Sequence, residues 1–123
     1  MIQWVSDSPT ALRDLKVAFR ACPDSFETLK HEVKAGRVSL YELSGDDYRV
    51  TIAGEICGHS YFLWGVSGRG VIPAIRALKA YVKEAGLMSI SAETHFPLVK
   101  KLCRRLNTTE RVSGDVTYME IKV

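Results

Sequence analysis

Trp64-Gly65-Val66-Ser67-Gly68-Arg69-Gly70-Val71 is the stretch on which the fold turns. Three glycines fall within six residues, directly after Tyr61, Phe62 and Leu63, which with Trp64 favour a strand. Immediately afterwards Val71, Ile75, Leu78, Val82 and Ala85 recur about one or two helical turns apart. A strand, a glycine-rich turn and a helix leave unpaired backbone N–H groups at the helix start, where the peptide dipoles also favour negative charge. Such a turn suits a phosphate or pyrophosphate, although glycines also serve plain strand-to-helix turns.

The chain upstream supplies strands to stand beside this one. Val38 to Leu43 and Tyr48 to Ala53 alternate apolar with polar and flank Ser44-Gly45-Asp46-Asp47, the pattern of a hairpin. A second turn at Ala53-Gly54 leads into Glu55 to Trp64. Earlier still, Met1 to Val5 forms a short strand. Ser8 then caps a helix that has Pro9 at its first position, with Leu12, Leu15, Phe19 and Cys22 along one stripe. Pro23 stops that helix. Asp24 and Glu27 stand at capping-box spacing and open a second one, with Phe26, Leu29 and Val33 inward and Gly36 at its end.

Downstream, the helix after the glycines closes at Gly86 and Leu87 to Ala92 forms a strand. Another helix starts near His95 to Pro97, with Leu98, Leu102 and Leu106 inward. Thr109 to Val112 and Asp115 to Val123 then flank Ser113-Gly114 as a closing hairpin. The order is β-α-α-β-β-β-[glycine turn]-α-β-α-β-β. It predicts a single α/β domain over residues 1–123, built on a mixed (α+β) sheet, with the two strands about the crossover parallel.

At 123 residues the chain can bury one core and not two. Charges interrupt every apolar run, and no stretch approaches the roughly 20 residues of a membrane span. Met1 to Val5 lacks the basic start and long apolar segment of a secretory signal, and Cys22, Cys57 and Cys103 are too scattered for a disulfide framework. A reducing, cytoplasmic setting suits them. A net charge of +3 permits an anionic partner without requiring one.

This order, with glycines at the exit of the fourth strand, resembles the GCN5-related N-acetyltransferase (GNAT) superfamily and its acyl-CoA N-acyltransferase fold. The family's cofactor motif runs Q/R-x-x-G-x-G/A, and Ser67-Gly68-Arg69-Gly70-Val71-Ile72 falls on it. Ser67 replaces the usual glutamine or arginine. Ile72 stands where a small residue is usual, a bulk set against the helix start. The resemblance implies acetyl-CoA as co-substrate, its pyrophosphate held by backbone N–H groups from Val66 to Val71, with Trp64 beside it. The family's later helix ends L-Y-x-x-L-G-F. Here Leu102-Cys103-Arg104-Arg105-Leu106-Asn107-Thr108 puts Cys103 at the position of the tyrosine that acts as general acid. The family's general base is a carboxylate or a held water on the fourth strand. By strand parity Glu55, Cys57, His59 and Tyr61 share one face. His59 is the candidate base, because an imidazole near its ordinary pKa accepts a proton around neutrality. Glu55, next to the turn, reads as solvated. The short, divergent version of the fold, with His59 before the glycine turn and a worn cofactor motif, also resembles acetyltransferase-like proteins of bacteriophages and prophages.

The function expected is acetyl transfer to a small-molecule or peptide primary amine by direct attack. The alternative is a catalytically degenerate copy of the fold, serving as a structural or interaction module in the host cytoplasm or a virion. Cys57, His59 and Cys103 lack the further ligand or the orienting Asn or Asp that a metal site or a cysteine nucleophile needs. Lys100, Lys101, Arg104 and Arg105 form a cationic helix face open to phosphates, including the 3′-phosphate of CoA. No aromatic residues interleave to stack bases, so nucleic acid is not the expected partner. Pairing of the last strands between two copies is the expected route to a homodimer.

Overall fold

A computed structural model describes residues 1–20, 23–94, 109–114 and 116–123. The elements follow as β1 (Ile2–Trp4), α1 (Pro9–Leu15), a 3-10 turn (Lys16–Phe19), α2 (Pro23–Lys34), β2 (Ser39–Gly45), β3 (Tyr48–Cys57), β4 (Ser60–Arg69), α3 (Val71–Glu84), β5 (Ser89–Thr94), β6 (Thr109–Ser113) and β7 (Val116–Lys122). The strands form one sheet in the order β1-β2-β3-β4-β5-β7-β6. Among the described residues its one parallel pair is β4 with β5, the pair that α3 connects. The mixed sheet expected from the sequence is present. The helix expected to carry Leu98, Leu102 and Leu106, the residues Cys22 and Cys103, and the cationic run from Lys100 to Arg105 lie outside the described residues.

Strand alternation gives the sheet two buried faces. On one, Ile72, Ala74, Ile75, Leu78 and Val82 of α3 pack on Leu43, Val50, Ile52, Leu63 and Ile90. On the other, Ala11, Leu15 and Phe19 together with Phe26 and Leu29 of α2 pack on Val38, Leu40 and Ala53. Ser8 caps α1 as expected, its Oγ accepting the Ala11 N–H at 3.2 Å. α2 begins at Pro23, so Asp24 stands inside the first turn rather than ahead of it, where it still favours the dipole.

The chain departs from expectation between Ala53 and Ser60. No turn occurs at Ala53-Gly54: β3 runs on to Cys57, and the reversal is made by Gly58 and His59. Gly58 has φ +62°, the left-handed conformation a two-residue hairpin turn demands. Gly54 does not take a positive φ and has a different task. The ring of Tyr61 lies across it, in the space a Cβ would fill. The register also shifts here. Ala53 pairs with Gly65 and Gly54 with Leu63, leaving Trp64 as a bulge. Trp64 and Gly65 therefore both serve the α1–α2 face, whereas Leu63 and Val66 turn toward α3.

The glycine-rich stretch is itself mostly strand. Trp64 to Arg69 stay paired with β3, and only Gly70 separates β4 from α3. Each glycine answers to close packing: a Cβ on Gly65 would meet the Phe19 ring at 2.9 Å, and one on Gly68 would meet the Arg49 carbonyl and Val50 Cα.

Candidate active site

The site is built by what β4 stops doing. Ser60 to Leu63 pair with Ser89 to Ala92, and there the β4–β5 ladder ends. Beyond it, Trp64 to Arg69 pair only with β3, while Glu93 and Thr94 pair only with β7. The bulge at Trp64 adds local twist at the point of divergence. A seam opens inside the sheet, and among the described residues no strand meets the β5-side backbone groups of Trp64 to Arg69.

At the head of that seam stands the start of α3. Gly70 is the N-cap at φ +71° and ψ +45°, and it offers no capping side chain. The first N–H to find a helical acceptor is that of Ala74, onto the Gly70 carbonyl at 3.0 Å. Pro73 has no N–H. The amides of Val71 and Ile72 are therefore left without a partner among the described residues. The bulk of Ile72 does not obstruct them: its side chain is buried, 6% exposed, in the core under α3. Shortening it to the small residue usual in the family motif removes core rather than clearing a path. Ile72→Ala is expected to cost about 3 kcal/mol, read as a lower denaturant midpoint, with no gain in affinity for an anion at the helix start.

Trp64 lies on the α1–α2 face of the sheet, not at the helix start. It packs on the α1–α2 cluster, and its indole N–H donates to Glu55 Oε1 at 2.9 Å. The half-buried Glu55, expected to be solvated, is thus fixed on the α1–α2 face of the sheet, opposite Phe62 and one pair short of the end of the β4–β5 ladder. The spacing of nine residues gives no signal for this pair. It becomes visible only when the hairpin turn is placed at Gly58-His59.

His59 is not brought to the site. It lies exposed in that turn rather than on a strand, and its carbonyl accepts the Met88 N–H at 2.7 Å. Five positions along β4 separate it from Trp64, about 16 Å at the ordinary strand rise. Glu55 and Cys57 keep their parity on β3, but the turn at Gly58-His59 breaks it for His59 and puts Tyr61 opposite Ile56, on the other face. Cys57 is an exposed free thiol on β3, pushed above its ordinary pKa by partial burial and then by the Glu55 carboxylate. Tyr61 points toward Gly54 on the α3 face. Its buried hydroxyl has no partner among the described residues, and burial holds the phenol protonated. Among the described residues no helix is long and apolar enough to cross a membrane.

No family model matches the sequence, and no curated protein is similar to it. Solved structures are. The ribosomal-protein-S18-alanine N-acetyltransferase of Escherichia coli is 13% identical, with a TM-score of 0.67 over 100% of this chain and 94% of that one. An IAA acetyltransferase of Bacillus cereus is 11% identical, with a TM-score of 0.67 over 100% and 99% of the two chains. An acetyltransferase of Bacillus subtilis, solved in complex with CoA, is 9% identical, with a TM-score of 0.68 over 99% and 97%. Identities this low speak for architecture alone, and they do so over nearly the whole of each chain: this protein has the fold of the GNAT acyl-CoA N-acyltransferases.

Proposed function

We propose that the protein is an N-acetyltransferase that moves acetyl from acetyl-CoA to a primary amine by direct attack. The observation that carries this reading is the open seam between β4 and β5 ending at the uncapped start of α3. An extended, amide-bearing chain can add to the free edge of Trp64 to Arg69 as a further strand would. A diphosphate can take the Val71 and Ile72 amides. CoA supplies both groups, and when bound as acetyl-CoA it supplies the thioester.

The seam fixes one reactant beside the other, which removes much of the entropic barrier to a bimolecular reaction. Backbone N–H groups of β4 facing the seam polarise the carbonyl under attack. Glu55, held at one oxygen by Trp64, takes the ammonium proton directly or through a water, in place of His59, which lies in the hairpin turn. Cys103, outside the described residues, keeps the role that the resemblance gives it, as proton donor to the departing thiolate.

Thermal unfolding with and without CoA tests the reading. A ligand at about 100 times its Kd is expected to add ~2.7 kcal/mol of stability, a rise of roughly 10 °C for a domain of this size. An unchanged melting temperature at millimolar CoA and acetyl-CoA overturns it and leaves the fold as a scaffold.

A further inference from the structure

The sheet ends in β1 on one side and β6 on the other, and among the described residues neither has an outer neighbour. Met1 and Ser44 exchange both backbone bonds, at 2.8 and 3.0 Å, and the Val5 N–H reaches the Leu40 carbonyl at 2.8 Å. In an antiparallel ladder such bonded pairs alternate with pairs that share no bond. Ile2, opposite Leu43, and Trp4, opposite Tyr41, therefore turn their N–H and C=O groups outward. Ile2 packs on the α3 cluster, and by parity Trp4 stands on the same face, 54% exposed. Gln3, exposed, lies between them on the other face.

An exposed edge strand is normally blunted by charge or by proline. In β6 Glu110 and Arg111 do this, and self-pairing about its middle residue would set Arg111 against Arg111 of a second copy. β1 reads Ile2-Gln3-Trp4 and carries neither device. A twofold axis through Gln3 maps this edge onto itself. Ile2 then faces Trp4 of a second copy, and every outward N–H and C=O of the two residues finds its complement. The Trp4 ring meets Ile2 across the joint, and uncharged Gln3 meets uncharged Gln3, so no like charges are opposed.

We infer that two copies of this chain pair antiparallel through β1, and not through β6, joining their sheets into one. The joint stands whether or not the seam binds CoA, because β2 and β3 separate β1 from β4.

Sedimentation of the full chain over a concentration series tests the joint. The parent is expected to move from one chain in mass toward two, and its Ile2 and Trp4 amides to exchange their hydrogens more slowly as dimer forms. Gln3→Lys sets two cations against each other at the axis and is expected to weaken association about tenfold. Trp4→Pro removes an outward N–H that β2 does not use, and is expected to weaken it likewise. Val112→Lys, on the exposed side of β6, is expected to associate as the parent does. All three positions are exposed, so far-ultraviolet circular dichroism should match the parent. A parent that stays one chain in mass at millimolar concentration overturns the joint. So does a dimer that survives either Gln3→Lys or Trp4→Pro at full strength, or one whose Ile2 and Trp4 amides exchange as fast as in dilute protein. Loss of the dimer in Val112→Lys assigns the pairing to β6 and overturns it as well.

Discussion

Gly68→Ala is expected to destabilise the protein by about 4 kcal/mol, close to the whole stability of a marginal domain. Gly68 holds φ +134°, a conformation nearly reserved for glycine, so any side chain carries about 1–3 kcal/mol of backbone strain. A methyl group would also be driven into the Arg49 carbonyl and the Val50 Cα, both backbone atoms of the adjoining strand. Neither can rotate away, and overpacking of this kind typically adds another 1–3 kcal/mol. Gly58→Ala is the control. It shares a positive φ, +62°, but has nothing within 4 Å of the added carbon, so about 1 kcal/mol is expected. Urea unfolding of the three proteins gives the comparison. Equal costs at the two glycines would mean that β3 and β4 do not approach as closely as described.

Pro73→Glu is expected to leave the fold intact and to weaken CoA binding about a hundredfold, ~2.7 kcal/mol. Position 73 is the third residue of α3, where glutamate is a better helix former than proline and favours the dipole. Its carboxylate can fold back over the amides of the first turn, as in a capping box, and occupy the place proposed for the diphosphate. Repulsion between like charges then adds to the loss. Pro73→Gln separates charge from shape and should retain most of the affinity. Calorimetry with CoA decides, and affinity within twofold of the parent in Pro73→Glu would place the phosphates elsewhere. A charge at Gly70 would be a poor substitute. Any side chain there meets the Asp47 carbonyl and Tyr48, so lost binding and lost folding would look alike.

Much of the architecture was legible because it rests on periodicity. The stripe on α3, the Ser8 cap and the alternation in β2 and β3 are local signals, and local signals led to the right order of the described elements. What misled was glycine. Gly54, Gly65 and Gly68 are spelled like turn residues, yet they sit inside strands because a ring or a backbone occupies the volume of the absent side chain. Spacing alone cannot tell a glycine that bends the chain from one that admits a neighbour. The misplaced turn carried the site with it. His59 was aimed at the chemistry by a parity count across a strand boundary, and Glu55 was dismissed as a turn residue although Trp64 holds it. The helix start was better placed, because the switch from strand to helical period brackets Gly70 within a residue or two.

The short contact between β4 and β5 has a mechanical consequence. Among the described residues, four ladder pairs, from Ser60–Ser89 to Leu63–Ala92, and the Met88 N–H on the His59 carbonyl beside them splice the slab β1-β2-β3-β4 to the slab β5-β7-β6 through the sheet. The two slabs are leaves joined at one end, and anything lodged between them acts as a brace across the joint. Occupancy of the gap and stiffness of the leaves are then two readings of one equilibrium: whatever loosens the joint must also loosen the guest.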